Sequence, residues 1–103
     1  MVAFADKPSP LFELGMVVAT PGALELLKSA GVDLRQLLFR HERGDWGDVN
    51  DGDKAINKEA LKDGSRLFSA YKIRGGLKIW VITEAKGPDG KRASTSAVLP
   101  DEY

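Results

Sequence analysis

The chain has 103 residues, of which 43% are hydrophobic and 29% are charged. These fractions are typical of one soluble globular domain and argue against an intrinsically disordered chain. Fifteen basic and fifteen acidic side chains cancel, so the formal net charge is zero, which argues against nonspecific nucleic-acid binding. The absence of cysteine excludes disulfides, thiol nucleophiles and thiolate metal sites, and it is compatible with the cytoplasmic location that we expect. The longest apolar runs, such as residues 79–82, are too short to span a bilayer.

The first segments in chain order are a lead-in and a short apolar stretch. Residues 1–10 end in two closely spaced prolines, Pro8 and Pro10, which cannot donate to a sheet or continue a helix. We therefore expect a flexible lead-in over residues 1–10 and a single folded domain over residues 11–103. Residues 14–19 include the β-branched Val17 and Val18, which favours a strand or a buried extended segment.

Two helices are predicted next. Thr20 is a suitable N-cap, Pro21 fits the first helical position, and Gly31 is typical of the residue that follows a helix C-terminus. Asp33 then predicts the cap of a second helix. The residues that share one face of this second helix are Leu34, Leu37, Leu38 and His41. A two-helix hairpin is therefore expected.

A glycine-rich loop and a third helix follow. Glycines and turn-forming side chains over residues 44–52 predict the loop. Either Asp51 or Asp53 is expected to cap the third helix, which runs to about Lys62 and ends at Gly64.

The remaining residues show the period of two that is typical of strands. Segments 66–73, 77–84 and 92–99 are predicted strands, joined by turns at Gly75-Gly76 and at residues 87–90. The side chains of Tyr71 and Trp80 are expected in the core. The sequence therefore predicts an α+β domain in which N-terminal helices precede a three- to four-stranded antiparallel meander and pack on one face of the sheet.

An ordered series of motifs resembles a family of small bacterial proteins of about 100 residues. The series comprises Ala19-Thr20-Pro21-Gly22-Ala23-Leu24, Arg40-His41, Gly44-Asp45-Trp46-Gly47-Asp48, Gly64, Leu67, Ser69-Ala70-Tyr71, Ile79-Trp80-Val81-Ile82-Thr83-Glu84 and Leu99-Pro100-Asp101-Glu102-Tyr103. Members of this family are found on plasmids and integrative elements and are mostly uncharacterised. Some carry a label of restriction-modification subunit M, although no methyltransferase motif fits in a chain this short. The resemblance implies a mobile-element accessory protein with a regulatory or anti-defence role.

This chain departs from the family pattern in its last hairpin. After Glu84-Ala85 the family has a tight turn with Asp-Arg-Ser and a Thr pair, whereas this chain has the longer segment 86–91. Lys91 replaces the acidic residue before Arg92, and Thr95-Ser96 stand near the position of the Thr pair. An acidic side chain that functions in the family would therefore be lost here.

A second resemblance, in the order of elements, is to small ribonucleases of the barnase-like and toxin type. Such enzymes place a His, a Glu, an Arg and a hydroxyl residue around one sheet face and need no metal. The matching candidates are His41, Glu84, Arg92 and Thr95, with His41 as general acid or base and Arg92 as phosphate ligand. The alternative for His41 is a structural role at a helix C-terminus, where it would bind terminal carbonyls.

The leading prediction is a protein that acts by binding a macromolecule, either protein or nucleic acid, rather than by catalysis. The expected surface combines the loop around Trp46 with the hairpin at residues 86–92. Its candidate binding residues are Arg40, His41, Arg43, Asp45, Trp46, Asp48, Lys86, Lys91 and Arg92. The alternative for Trp46 is a plug between the helices and the sheet.

No metal or small-molecule cofactor is expected. The acidic residues after Trp46 suggest an EF-hand loop starting at Asp48, but Gly52 then stands where a ligand is needed and Asp53 where glycine is required. A lone histidine without cysteine also makes a poor zinc site.

Overall fold

The structure is a computed structural model, and it describes residues 9–103. Its elements in chain order are β1 (Met16–Ala19), α1 (Pro21–Ala30), α2 (Leu34–Glu42), α3 (Asp51–Asp63), β2 (Leu67–Arg74), β3 (Leu77–Thr83), β4 (Ser94–Val98) and a 3-10 turn (Pro100–Glu102). The predicted α+β class is confirmed. Most of the lead-in predicted over residues 1–10 lies outside the described residues. In the part of the chain that is described, no helix is long and apolar enough to cross a membrane.

The four strands form one mixed sheet in the order β1-β4-β3-β2. Strands β2, β3 and β4 are antiparallel neighbours, as predicted, but β1 pairs with β4 in parallel, Met16 opposite Ser94. The prediction of a purely antiparallel sheet is therefore wrong, and so is the prediction that all helices precede the strands. Strand β1 precedes all three helices and pairs at the β4 edge, because the β2 edge is occupied by the Gly47 bridge to Ala70 and by the Asn57 side chain of α3.

The helix ends follow local sequence signals. Thr20 accepts a hydrogen bond from the Ala23 amide at 3.1 Å, and Gly31 ends α1 with a left-handed φ of 69°. Asp33 caps α2 in a capping box with Gln36. These caps were predicted.

The cap of α3 differs from the prediction. Asn50 is the N-cap, and its side chain accepts a hydrogen bond from the Asp53 amide at 2.7 Å. Asp51 and Asp53 instead occupy the first turn, where their negative charge is favourable near the positive end of the helix dipole. The helix ends at Gly64, as predicted.

The main core lies between the sheet and the first two helices. Helices α1 and α2 pack on the sheet face that carries the odd-numbered residues of the strands. The buried members of this core are Ala23, Leu26, Leu27, Leu37, Tyr71, Ile79, Val81 and Ala97. A smaller cluster joins Trp46, Ala60 of α3 and Leu67 at the end of β2. The expected packing of helices on one sheet face holds for α1 and α2, whereas α3 lies along the edge strand β2.

The β2 edge is closed by side-chain and loop hydrogen bonds. The Asn57 amide of α3 donates to the Phe68 carbonyl at 2.7 Å and accepts from the Phe68 amide at 3.0 Å. Gly47 forms a parallel bridge to Ala70, with the Ala70 amide donating to the Trp46 carbonyl at 3.1 Å. A side chain at position 47 would overlap the Ala70 carbonyl, and φ there is +73°, so this loop position requires glycine. These contacts satisfy backbone groups that an open sheet edge would expose.

Candidate functional site

His41 lies at the centre of a buried polar network. Its side chain is completely buried, with Nδ1 2.6 Å from the Ser69 hydroxyl and Nε2 2.8 Å from the Thr83 hydroxyl. The Thr83 hydroxyl is 2.7 Å from that of Thr95, which donates to the Leu14 carbonyl at 2.7 Å. The chain of hydrogen bonds thus ties α2 to three strands and to the segment before β1.

The direction of these hydrogen bonds determines the state of the imidazole. Because the single Thr95 hydroxyl proton goes to the Leu14 carbonyl, Thr83 must donate to Thr95. The Thr83 oxygen then accepts the Nε2 proton of His41. In a neutral ring with this proton on Nε2, Nδ1 accepts from the Ser69 hydroxyl, and every member of the network is satisfied.

Burial keeps the imidazole neutral. Loss of hydration, reinforced by the positive charge of Arg92, lowers the pKa of His41 from 6.5 to about 3. Phe12 and Trp46 pack edge-on against the ring, with centroids 5.1 and 5.7 Å away. A ring enclosed in this way cannot exchange protons with a substrate, and its bonds to hydroxyls differ from the helix-terminal carbonyl contacts that were the structural alternative.

A pH-dependent stability follows from this shift. The unfolded chain takes up a proton at His41 below pH 6.5, whereas the folded chain takes it up only near pH 3, so stability falls as the pH drops through this window. From pH 7.5 to pH 5 we expect the free energy of unfolding to decrease by about 2 kcal/mol. Urea unfolding at several pH values measures this decrease.

Replacement of His41 by Gln provides the control. Glutamine does not titrate, so the stability of this variant should be flat between pH 7.5 and 5. Asp45 and Asp48 have pKa values held below 3.8 by hydrogen bonds from Arg40 and Lys78, respectively. Their contributions are lost as the pH falls through about 3.8 toward the lower folded values, so they change little between pH 7.5 and 5. An equal acid dependence in the wild type and the variant would contradict the assignment.

Arg92 is the second buried polar group of this region, with only 5% of its surface exposed. Nη1 donates to the carbonyls of Ser65 (2.7 Å) and Glu84 (3.0 Å), and Nη2 donates to that of Ala60 (3.2 Å). Within residues 9–103 it forms no salt bridge, and its Nε has no hydrogen-bond partner. Loss of hydration on burial lowers the pKa of Arg92, and the negative charge of Asp63 partly opposes this shift.

The four residues of the ribonuclease alternative do not form an open cleft. His41 and Thr95 are fully buried in the hydroxyl network, and Arg92 is buried against carbonyls. Glu84 is exposed, and it contacts Arg92 through its backbone carbonyl rather than its carboxylate. A general acid or base must reach the proton that it transfers, so this geometry argues against catalysis by these four residues.

The predicted loop is held against the sheet by its own side chains. Trp46 is buried and stacks with Phe12 at 6.2 Å, and the Tyr71 hydroxyl donates to the Asp45 carbonyl at 2.6 Å. Arg40 pairs with the Asp45 carboxylate at 2.7 Å, and its guanidinium lies 4.5 Å from the centroid of the Tyr71 ring. Trp46 therefore acts as the plug that was the alternative to an exposed platform.

The other candidate binding residues lie nearer the surface. The Asp48 carboxylate forms an ion pair with Lys78 at 2.7 Å. The Arg43 guanidinium pairs with Glu42 and lies over the Phe39 ring. Lys86 and Lys91 are exposed in the hairpin between β3 and β4. The loop and the hairpin meet at Leu11, whose amide donates to the Glu42 carbonyl and whose side chain lines a cavity beside the hairpin.

The sheet face opposite α1 and α2 carries a feature that the sequence analysis missed. Helices α1 and α2 pack on the other face, and the C-terminal 3-10 turn with Tyr103 packs on part of this one, which we call the open face. Its even-numbered side chains include the polar Lys72, Lys78, Ser94 and Ser96 beside an aromatic and aliphatic group. Its apolar members differ in burial: Met16, Val18 and Tyr103 are exposed, Phe68 and Trp80 are half-buried, and Ile82 and Val98 are buried. Trp80 was predicted in the core because both faces of its strand carry bulky residues, but alternation alone does not show which faces are covered.

No group of His, Asp and Glu side chains within residues 9–103 is arranged to hold a metal ion. Comparison of the chain with family models, curated proteins and solved structures found no match.

Proposed function

We propose that this chain acts by binding a protein partner through the open face of its sheet. The observation that carries the proposal is the contrast between two sides of the molecule. Three of the four groups that suggested catalysis, His41, Arg92 and Thr95, are buried, whereas exposed and half-buried apolar side chains lie on the face opposite α1 and α2. Antiparallel sheets that face water on one side normally present polar side chains there, so an apolar layer suggests a partner.

The aromatic residues of the open face form a contiguous group. Phe68 and Trp80 pack edge-on with centroids 5.2 Å apart, and Trp80 packs against Tyr103 at 6.0 Å. At the border with β1, the side chains of Met16 and Val18 are 70% and 43% exposed. Aromatic residues and methionine are enriched in protein interfaces, where they supply contact area at low entropic cost.

The charges around this face favour protein over nucleic acid. Lys78 lies beside the open face but is paired with Asp48 at 2.7 Å, and Asp53 lines the same groove of about 450 Å³ as Phe68 and Trp80. A binding site for nucleic acid requires a field of unpaired positive charge. Charges of both signs border this face, with Lys78 paired to Asp48 and Arg66 hydrogen-bonded to the Tyr103 hydroxyl, as in the polar rim of a protein interface.

The proposal is tested by site-specific capture. A photoreactive amino acid at position 103 should crosslink to a discrete protein in extracts of the host cell, and the same amino acid at Leu24, exposed on α1, should not. Trp80→Ala in the position-103 protein should reduce crosslinking by about tenfold, since buried aromatic anchors dominate interface energies. Phe39→Ala removes an aromatic side chain that is 48% exposed on α2 and provides the matched control.

Two results would contradict the proposal. One is crosslinking that is equally strong from both positions or unaffected by Trp80→Ala, with folding of each variant checked by thermal unfolding. The other is loss of the crosslink after nuclease treatment together with a mobility shift of labelled RNA or DNA, which would identify nucleic acid as the partner.

The mobile-element setting and the regulatory or anti-defence role remain predictions from the family resemblance. A protein partner is compatible with both roles. Incubation of labelled RNA with the wild type and with His41→Gln tests the ribonuclease alternative, and we expect no cleavage by either.

A further inference from the structure

We propose that the cavity between residues 11–13 and the β3–β4 hairpin binds a phosphate group, with Arg92 at its base. This site is separate from the open face and does not depend on the protein partner proposed above. The cavity has a volume of about 190 Å³ and is lined by Leu11, Phe12, Glu13, Leu61, Lys86, Gly90, Lys91 and Arg92.

The first support is the incomplete hydrogen bonding of Arg92. Its three bonds to carbonyls use both protons of Nη1 and one of Nη2. Nε, which has no partner in the described chain, lies beside Nη2 on one edge of the guanidinium. This edge is the one that forms paired hydrogen bonds to two oxygens of a phosphate or carboxylate. A buried donor without an acceptor is costly, so Arg92 retains an unmet demand for an anion.

The second support is the charge of the cavity wall. Three of the lining side chains are cationic, Lys86, Lys91 and Arg92, and the carboxylate of Glu13 is the one acidic group among the lining residues. The two lysines are exposed at the rim, and neither forms a salt bridge within residues 9–103. A phosphate monoester carries up to two negative charges and three terminal oxygens, which matches one arginine edge and two ammonium groups better than a carboxylate does.

The structure also indicates how a ligand reaches Nε. The half-buried ring of Phe12 lies 5.7 Å from the Arg92 guanidinium and belongs to the cavity wall. Nε itself is closed off from solvent, so part of the cavity wall must move when an oxygen binds there. Binding at the two lysines alone would leave the Nε proton unaffected.

The experiment follows the Arg92 Nε proton by NMR during titration with inorganic phosphate at constant ionic strength, with chloride as the reference anion. Its resonance is assigned by its absence in Arg92→Lys. We expect a saturable shift with phosphate only. The double variant Lys86→Ala/Lys91→Ala should weaken binding by about tenfold or more. Lys28→Ala/Lys58→Ala removes the same charge from exposed positions on α1 and α3 and should leave the affinity unchanged.

Two further measurements test the effect of the Glu13 charge and distinguish free phosphate from the phosphate at a nucleic-acid end. Glu13→Gln removes the opposing charge and should increase affinity about twofold. Short oligonucleotides with a 5′-phosphate or a 5′-hydroxyl separate a nucleic-acid end from free phosphate: tighter binding of the phosphorylated form than of inorganic phosphate identifies the end. A shift that chloride reproduces, or an affinity that the Lys86 and Lys91 substitutions leave unchanged, would overturn the proposal.

Discussion

Replacing His41 with alanine is expected to lower the free energy of unfolding by about 3 to 5 kcal/mol at pH 7.5. The substitution leaves a cavity beside Phe12 and Trp46 and removes the partner of two buried hydroxyls, those of Ser69 and Thr83. Buried hydrogen-bonding groups that lose their partners cost more than the hydrogen bond itself contributes. Urea unfolding monitored by tryptophan fluorescence measures the loss, and Trp46 reports on the affected region directly.

The matched control for this prediction is Phe39→Ala, which removes a larger side chain from an exposed position of the same helix. Its effect should stay below about 1 kcal/mol. Ser69→Ala should give an intermediate loss, because the Nε2 bond to Thr83 remains in place. A His41→Ala protein as stable as the wild type would show that the hydroxyl network does not hold α2 to the sheet.

Replacing Asn57 with alanine is expected to lower the free energy of unfolding by about 2 to 4 kcal/mol. The side chain is 2% exposed and satisfies both the amide and the carbonyl of Phe68. Alanine would leave both groups unpaired at the edge of the sheet next to α3. Urea unfolding provides the free energy, and hydrogen exchange at the Phe68 amide should accelerate more than exchange at Val81 in the central strand β3.

The neighbouring Lys58→Ala provides the control, since Lys58 is exposed on the same helix and should change stability by less than about 0.5 kcal/mol. Asn57→Asp keeps the acceptor for the Phe68 amide but loses the donor to its carbonyl. An Asn57→Ala protein with unchanged Phe68 exchange would contradict the assignment.

The elements that sequence analysis located well are those with local causes. Thr20, Gly31, Asp33 and Gly64 were placed at helix ends because a cap needs only its own side chain or a permissive backbone. The hairpin turns at residues 75–76 and 87–90 were found for the same reason. The cap of α3 was misplaced by one residue or more because Asn50, Asp51 and Asp53 are all capable caps, and only the three-dimensional path of the loop decides among them.

The parts that were not predicted depend on pairing between distant strands. The spacing of Leu37 and His41 placed both on the inner face of α2, but the partners of His41 lie on strands β2 and β3. Two hydroxyls carry no charge or periodicity that would mark them as partners of a histidine, so a catalytic role stayed open. Likewise, the sequence pattern around Trp80 is compatible with cover on either side of β3, and the open face becomes visible only when the positions of the helices are known.

The hairpin between β3 and β4 was predicted in part: its residues were identified, but their roles were not. Lys86, Lys91 and Arg92 were selected from the sequence as a group, and the described chain places all three around one cavity. Their different environments were not foreseeable, because the burial of Arg92 depends on carbonyls from α3 and from the strand before the turn. The sequence can therefore identify the residues of a site without showing which of them are buried and which are exposed.

The parallel pairing of β1 with β4 has a consequence for how the chain acquires its structure. Met16 of β1 pairs with Ser94 of β4. During synthesis, β1 therefore leaves the ribosome long before the strand with which it pairs. Until then the exposed backbone groups and apolar side chains of Val17 and Val18 have no partner in the sheet. Contacts between such distant residues slow folding and leave intermediates prone to association. Nascent or partly folded chains should therefore depend on chaperones more than the small size of the domain suggests.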